Sequence, residues 1–447
     1  MAIENPVNSS ESKPIPADLE LPLSENDDKK RIKFLTKEIL DRIGYGLSSQ
    51  QFFNILFVQS GASLFLVGFL NGLKVMASVS VSYILERYRV SVMVNRMMMS
   101  IVGILFGISI FTLTLAIYYR SLWLFILSSL FATIIAVSYG TLYQDWFKEN
   151  LEMRKRGFFL SRIGYYGLLI TALSMFIGAY ITDKFAGNSN LVFDALGYKF
   201  RLQGYVLVLI GAAIIFMFGA VILLAIKDSK RKMETGEPAP AVLITKETWK
   251  EFHSNKVLFV LFISSAVISL VQTLAMAYYG IFIYKNFFNV GFGGFMNVAI
   301  IFTIALLTSI VGPIITQFNA RAYGKFPMLV FGTLLIAIGP LTYYYNPNLL
   351  SISVAMFLST IGSAICGVAF GLLTMELVRE DLKDSYAHLS NLLTLIPYAI
   401  FVPIGALIAQ NYGMQTLFLV LPIALIAVVL PLYMYIIIAF NARKQKI

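Results

Sequence analysis

Charged residues are scarce in this sequence. Only 13% of the 447 residues are charged, whereas 58% are hydrophobic. A soluble domain carries about 25% charged residues, so a water-soluble core cannot accommodate this much apolar sequence. Apolar runs of about twenty residues, long enough to cross a ~30 Å hydrocarbon layer, recur along almost the whole chain. The composition therefore predicts a membrane protein that crosses the bilayer many times.

Cysteine and histidine are almost absent, which excludes several classes of site. The one cysteine, Cys366, can form neither a disulfide framework nor a thiolate metal site. We interpret it as a small buried apolar residue. The two histidines, His253 and His388, are far apart in sequence and do not suggest a zinc site. The chain also lacks the G-x-x-x-x-G-K-[ST] pattern that cradles ATP phosphates. We expect no cofactor and no metal.

The apolar runs divide into twelve predicted transmembrane helices. Their approximate bounds are 35–59, 63–86, 92–118, 121–145, 157–182, 203–227, 256–284, 294–317, 326–345, 349–376, 386–410 and 414–440. The first span is the most polar, because it contains Asp41, Arg42, Gln50, Gln51 and Asn54. An interfacial helix to residue 42, followed by a short span, is an alternative for this region.

The distribution of basic residues predicts the orientation. Lys and Arg concentrate in alternate connecting segments, whereas the opposite face holds only five of the 35 basic residues. These five are Arg120, Lys184, Lys199, Arg201 and Lys285. Because cytoplasmic loops carry the excess of Lys and Arg, both termini are predicted to be cytoplasmic. The net charge of +11 is thus a topology signal, and no nucleic-acid partner is expected.

The chain divides into two six-helix bundles and polar connecting segments. Residues 1–33 are polar and rich in acids, which predicts a disordered cytoplasmic tail and not a signal peptide. Residues 34–227 form the predicted first bundle and 256–441 the second, with a short tail at 442–447. The linker 228–255 is polar, and its final part, Lys246 to His253, is predicted to be a short amphipathic helix on the membrane.

An internal repeat relates the two bundles. Residues 140–151 read GTLYQDWFKENL and residues 371–382 read GLLTMELVREDL. Four of the twelve positions are identical without a gap, and three more are conservative. Both segments lie at the cytoplasmic end of the fourth span of their half. Two parallel repeats predict a pseudo-two-fold axis along the membrane normal.

These features resemble the major facilitator superfamily over about residues 40–440. The loop Ser82–Arg89 occupies the place of the family pattern G-x-x-x-D-R-x-G-R-R, and its Glu86-Arg87 matches the acid and the arginine. The segment from Asp145 to Gly157 is similar to the family's acid-to-RG loop, and Glu149 with Arg156 has the E-x6-R spacing of its sugar porters. The resemblance implies the all-α fold of that family and alternating access, but it leaves the substrate open.

Lys74 is the strongest candidate for a substrate-binding residue. It lies eleven residues after Ser63 and twelve before Glu86, which places it near the bilayer midplane. A cation at this depth costs about 2.5–3.5 kcal/mol on insertion scales. Asn71, Lys74 and Ser78 share one helix face, which predicts a polar stripe that faces a cavity and attracts an anionic group. A structural ion pair, or hydrogen bonds to neighbouring helices, is the alternative.

Amide side chains form a second set of candidates for substrate binding. They are Gln50, Gln51 and Asn54 in the first span and Gln272 in the seventh. The resemblance implies that the first and seventh helices line the central cavity. Amides can orient a ligand through paired donors and acceptors. They can equally form hydrogen bonds between helices, which contribute about 0.6 kcal/mol each.

Charged residues at the cytoplasmic ends of the spans are candidates for a gate. They are Glu86, Arg87, Asp145, Glu149, Arg156, Arg162, Glu376 and Lys383. By the resemblance, they would form ion pairs that close the inner side when the cavity opens outward, with Glu376 and Lys383 as the pair of the second half. The alternative is solvated boundary charge, for which exposed pairs contribute about 0–1 kcal/mol.

The sequence predicts a secondary transporter in the cell membrane, acting as a monomer on a small, anionic solute. No Asp or Glu falls at mid-depth of a predicted span, and Asp41 comes closest. A coupling ion, proton or sodium, is therefore left open. Two alternatives are a membrane-embedded transferase acting on lipid-linked substrates and a non-transporting sensor or scaffold. The missing carboxylate cluster disfavours the first, and the polar stripe at Lys74 disfavours the second.

Overall fold

The predicted all-α fold is confirmed in a computed structural model of the chain. It describes residues 25–87, 94–150, 153–185, 192–195, 198–201, 203–226 and 244–444. Within these ranges there are sixteen α-helices. They are α1 (Glu25–Leu47), α2 (Gln50–Gln59), α3 (Leu64–Arg87), α4 (Arg96–Tyr118), α5 (Leu122–Asn150), α6 (Met153–Lys184), α7 (Gly204–Leu224), α8 (Lys246–Ser254), α9 (Lys256–Asn286), α10 (Gly294–Thr308), α11 (Val311–Tyr323), α12 (Lys325–Tyr345), α13 (Leu349–Leu377), α14 (Lys383–Asn411), α15 (Met414–Ala424) and α16 (Leu430–Lys444).

Eleven helical segments of the described chain are long and apolar enough to cross a membrane. They correspond to the second to twelfth predicted spans. The first predicted span is instead formed by two helices. α1 begins at Glu25, ten residues earlier than predicted, and the helix breaks at Ser48 and Ser49 before α2 begins. The break lies beyond residue 42, where the alternative interpretation of this region had placed it.

Proline and a short β-hairpin account for the other irregular segments. The final span combines α15, a π-helical turn at Leu425–Val429 and α16. Pro422 and Pro431 flank this turn and cannot donate to the helical hydrogen-bond ladder, which favours a local change of helix type. An antiparallel hairpin of β1 (Val192–Ala195) and β2 (Tyr198–Arg201), which was not predicted, lies between α6 and α7.

The two halves of the chain repeat one pattern of helix packing. In the first half α1 packs against α6 and α7, α4 against α5 and α7, and α3 against α5. In the second half α9 packs against α14 and α15, α12 against α13 and α15, and α10 against α13. Each of these contacts has its counterpart in the other half. The halves meet where α3 packs against α14, α6 against α10 and α2 against α9.

The bundle has two ends that we name by the elements on them. The terminal face carries the start of α1, helix α8 and the end of α16. The hairpin face carries β1 and β2 and the turn at residues 287–293. Helix α8 is the helix predicted at residues 246–253, and its Thr245 cap accepts a hydrogen bond from the backbone of Thr248 at 3.1 Å. Its Phe252 is buried against protein, in a cluster with Leu258 and Tyr386.

Helices α12 and α13 approach closely at a pair of glycines. A Cβ added at Gly362 would lie 2.5 Å from the carbonyl oxygen of Gly332. A backbone oxygen cannot move aside like the end of a flexible side chain, so the helices would have to separate. By contrast, a Cβ at Gly371 on the same helix meets nothing within 4 Å.

We therefore expect Gly362→Ala to destabilise the protein by about 1–3 kcal/mol, the usual penalty for overpacking. Gly371→Ala is the matched control, and it should be neutral or stabilising by up to about 1 kcal/mol because alanine favours helix. The measurement is thermal unfolding of purified protein in detergent. Equal midpoints for the two variants would show that the close approach does not constrain the fold.

Candidate functional site: a central cavity between the halves

A cavity of about 620 Å³ lies between the two halves. This volume falls within the range of about 300–1,000 Å³ that small-molecule sites occupy. Its walls come from α1 to α5 and from α9. The polar side chains in its walls include Ser48, Gln50, Asn71, Lys74, Ser78 and Gln272. Five of the seven residues predicted to bind substrate therefore lie in one cavity wall.

Lys74 is the one charged residue among those described in the cavity wall. Its side chain is half-buried. No described residue forms an ion pair or a hydrogen bond with it. No residue in the described part of the chain therefore forms the structural ion pair that was the alternative interpretation of Lys74. The cation faces a space where a solute or water can solvate it.

An amide chain fixes the cavity wall next to Lys74. Gln50 Nε2 donates to Asn71 Oδ1 at 2.7 Å. Asn71 Nδ2 in turn donates to Asn54 Oδ1 at 3.2 Å and to the carbonyl of Val67 at 2.8 Å. Asn71 lies one helical turn from Lys74, so these bonds hold the orientation of α2 and α3 at the site.

Gln51 and Asn54 lie outside the cavity wall, contrary to the expectation for them. Gln51 Nε2 donates to the carbonyl of Met276 at 3.0 Å, and Gln51 Oε1 accepts from the backbone of Gly280 at 3.3 Å. Asn54 Nδ2 donates to the carbonyl of Ala277 at 3.2 Å. Their face of α2 points at α9, and they join the two halves. Gln51 and Asn54 therefore form hydrogen bonds between helices, which was the alternative interpretation of these amides.

Further hydrogen bonds between the halves lie toward the hairpin face. The carboxylate of Asp183, at the end of α6, accepts the backbone N–H groups of Phe295 at 3.0 Å and Met296 at 2.7 Å. N–H groups in the first turn of α10 have no partner inside the helix, and the helix dipole stabilises a negative charge beside them. Gln59 also donates to the hydroxyl of Tyr284 at 2.6 Å. The hairpin face is thus closed by contacts across the halves.

At the terminal face, one predicted gate residue makes a contact between the halves. Glu86 Oε2, at the end of α3, lies 3.2 Å from His388 Nδ1 on α14. The ring of Tyr83 packs edge-on against the same imidazole, with centroids 5.9 Å apart. The sequence offered no signal for His388, because its partner is about three hundred residues away. Arg87 is exposed at the end of α3.

The expected ion pair between Glu376 and Lys383 is not formed. Glu376 contacts Lys325 at the start of α12, whereas Lys383 lies 3.2 Å from Glu380. A 3₁₀ turn at residues 380–382 separates α13 from α14 and keeps Lys383 beside Glu380. Both observed pairs lie within the second half. They are local contacts and do not bridge the cavity mouth.

Four other predicted gate residues cannot be placed in this way. The side chains of Asp145, Glu149, Arg156 and Arg162 lie outside the described part of the structure. Their assignment to a gate stays a prediction.

A buried ion pair on α1 was missed from the sequence. Lys37 Nζ lies 2.7 Å from Asp41 Oδ2, and both side chains are buried. The ammonium group also lies 3.2 Å from the ring centroid of Tyr143 and 4.9 Å from that of Tyr139. The spacing of four residues was a visible signal for the pair. The two aromatic rings, which come from α5, were not.

The chain belongs to the Major Facilitator Superfamily, whose family model matches residues 43–402. It is therefore a membrane transporter and not an enzyme. No curated protein matches the sequence significantly. Among solved structures, the nucleoside transporter NupG is similar, with 11% identity, a TM-score of 0.70 and coverage of 90% of this chain and 98% of that one.

Two further solved structures are similar to this chain. A bacterial homologue of the iron transporter ferroportin has 14% identity and a TM-score of 0.66, covering 91% of this chain and 98% of its own. The xylose transporter XylE from E. coli has 13% identity and a TM-score of 0.60, covering 90% and 97%. At these identities the similarity establishes the fold.

The Lys37–Asp41 pair gives a prediction about stability. Removing one partner leaves the other as an uncompensated buried charge, so Lys37→Met and Asp41→Leu should each destabilise the protein by about 3–5 kcal/mol. The double variant Lys37→Met/Asp41→Leu should recover most of this loss. Thermal unfolding of the three variants measures the coupling. A double variant whose loss equals the sum of both singles would contradict the pairing.

The Asp183 contact gives a prediction about conformation. Asp183→Asn loses the charge that binds two backbone N–H groups, a loss of about 1.5–3 kcal/mol. We expect the halves to separate more often at the hairpin face. Spin labels at Tyr119 and Asn346, one in each half, would report longer distances.

The adjacent Lys184→Gln is the control for Asp183→Asn, because it removes a charge from the same helix end without touching α10. Its distance distribution should match that of the unsubstituted protein. If Asp183→Asn also matches, the carboxylate does not hold the hairpin face closed.

Proposed function

We propose that the protein is a secondary transporter that moves a small anionic solute by alternating access. The observation that carries the proposal is that Lys74 has no partner among the described residues and is the one charged residue described in the cavity wall. An intramembrane cation is expensive unless it serves a substrate or ion pathway. Lys74 supplies up to three N–H donors to a carboxylate or phosphate oxygen.

We assign the two faces to the two sides of the membrane from the charge distribution. The basic residues favour a cytoplasmic terminal face, and both chain ends with it. The hairpin face, where Asp183 and Gln59 join the halves, is then the outer side of the membrane. The cavity lies between the halves of one chain, which supports a monomer as the transporting unit.

The contacts between the halves suit an interface that must open and close. Gln51, Asn54 and Gln59 each contribute hydrogen bonds of the kind that are worth about 0.6 kcal/mol within a membrane. Several weak bonds can be exchanged for new ones as the halves rock. At the terminal face, Glu86 already contacts His388 across the halves, and the other predicted gate residues would add contacts there in the opposite conformation.

The similar solved structures do not identify the substrate of this protein. By their names they are a nucleoside transporter, a homologue of an iron transporter and a xylose transporter, and nucleosides, iron and xylose differ in charge and chemistry. The anionic class rests on Lys74. A non-transporting sensor or scaffold is disfavoured, because it has no need of an unpaired lysine in a cavity of ligand size.

Lys74→Met tests the proposal directly. A charge-assisted hydrogen bond contributes about 1.5–3 kcal/mol, so the variant should bind an anionic ligand roughly tenfold to a hundredfold more weakly. Lys74→Arg should retain part of the affinity. Lys285→Met, which removes an exposed lysine at the end of α9, is the control. Thermal-shift screening with small carboxylates and phosphates, followed by uptake into proteoliposomes, provides the measurement.

The result that would overturn the proposal is a ligand that binds and moves equally well with Lys74→Met and with the unsubstituted protein. A preference for cationic solutes would overturn it as well.

A further inference from the structure

The second half contributes one face of α9 to the wall of the central cavity. Ser269, Gln272, Thr273 and Met276 line the cavity, and their spacing of three and four residues places them on one side of the helix. The side chains of Ser269, Gln272 and Thr273 are half-buried. They carry two hydroxyls and an amide, which are the polar groups that α9 presents to a solute. We refer to these three residues as the α9 wall.

A tyrosine of α14 binds both hydroxyls of the α9 wall. The hydroxyl oxygen of Tyr398 lies 3.0 Å from Ser269 Oγ and 2.5 Å from Thr273 Oγ1, and it donates to the carbonyl of Ser269 at 2.8 Å. Tyr398 is buried and is not among the described residues of the cavity wall. It therefore acts on the cavity through Ser269 and Thr273.

The directions of these hydrogen bonds follow from the number of protons. A tyrosine hydroxyl has one proton and a carbonyl oxygen can only accept, so the proton of Tyr398 goes to the carbonyl of Ser269. Ser269 Oγ and Thr273 Oγ1 must then each donate their single proton to the oxygen of Tyr398. Because both protons are used inside the protein, these two hydroxyls have only lone pairs left for a solute.

The same reasoning orients the amide of Gln272. Ser363 Oγ donates its proton to the carbonyl of Ser359 at 2.9 Å, so it can only accept from Gln272, whose Nε2 lies 2.5 Å away. The amide nitrogen therefore faces Ser363, and Oε1 is left without a donor among the described residues. Nε2 keeps one further N–H group. The α9 wall thus offers a solute three acceptor oxygens but one N–H donor.

We infer that the α9 wall binds a hydrogen-bond donor of the substrate while Lys74 binds its anionic end, and that Tyr398 is the positioning residue that sets this preference. The substrate class is then a small acid that carries a hydroxyl or an ammonium group away from its carboxylate. A keto group only accepts hydrogen bonds, so it leaves the three oxygens of the wall unpaired, and such sites reject analogues without the donor. The inference rests on the proposed function for the anionic end only.

The test compares acids that differ only in the donor. Lactate and pyruvate have equal charge and carbon number, and γ-hydroxyvalerate and levulinate form a longer pair of the same kind. Binding to the purified full-length protein in nanodiscs is measured by calorimetry. We expect the hydroxy acid of at least one pair to bind roughly threefold to tenfold more tightly than its keto acid, the contribution of one hydrogen bond. Alanine and γ-aminovalerate show whether an ammonium group is preferred to a hydroxyl.

Tyr398→Phe tests the positioning of the hydroxyls. Without the oxygen of Tyr398, the protons of Ser269 and Thr273 can turn to a keto oxygen, so the hydroxy acid and its keto acid should bind equally. Looser packing alone would weaken both acids by the same factor and keep their ratio. Thr273→Val, which removes one acceptor and keeps the shape of the side chain, should also lower the ratio.

The matched control is Tyr386→Phe on the same helix. Tyr386 is also buried, and among the described residues its hydroxyl has no hydrogen-bond partner and it does not line the cavity. Tyr386→Phe should keep the preference of the unsubstituted protein. A loss of preference in Tyr386→Phe equal to that in Tyr398→Phe would overturn the inference.

Other outcomes separate the inference from the proposed function. Lys74→Met should weaken both acids of a pair by the same factor and keep their ratio. If Lys74→Met changes nothing but Tyr398→Phe still abolishes the preference, the α9 wall stands and the anionic site falls. If Lys74→Met weakens both acids but they bind equally to the unsubstituted protein, or if Tyr398→Phe keeps the full preference, the α9 wall does not select a donor. Absence of binding by all six acids would contradict both.

Discussion

Every polar group inside a membrane needs a partner from the protein or from a water-filled cavity, and this constraint organises the whole structure. The two lysines on α1 and α3 show its two solutions. Lys37 is buried and is paired with Asp41 beneath two tyrosine rings. Lys74 has no partner among the described residues and faces the cavity. The same side chain is structural in the first case and available to a solute in the second.

The constraint also explains the polar first span. Its amides would be costly against lipid, and α2, which begins after the break at Ser48 and Ser49, directs them toward protein and the cavity. Gln50 holds the cavity wall through Asn71, while Gln51 and Asn54 reach across to α9. Cohesion of the halves and shaping of the site are therefore divided among neighbouring residues of one short helix. In the proposed mechanism, weak bonds at this position would allow the halves to separate without unfolding either one.

The parts of the fold that the sequence predicts are those that depend on local properties. Apolar length and loop charge are local, so the second to twelfth spans and the repeat of the halves could be predicted. Lys74 stood out because the spacing of Asn71, Lys74 and Ser78 places them on one helix face. The function of Gln51 could not be predicted, since its partners on α9 are 225 and 229 residues away. Glu376 was paired incorrectly because symmetry between the halves was extended to individual side chains.

The two halves contribute different chemistry to the cavity. The first half provides the charge, which attracts any small anion but discriminates poorly between anions of equal charge. The second half provides directional donors and acceptors at Ser269, Gln272 and Thr273, and sites that hydrogen-bond a substrate group reject analogues that lack it. In the proposed mechanism, a solute held by both halves would release one set of contacts as the halves rock. Attraction from Lys74 is less directional than a hydrogen bond to Gln272, so in the proposed mechanism the anionic end of a solute would stay associated with the first half while its other end exchanges partners.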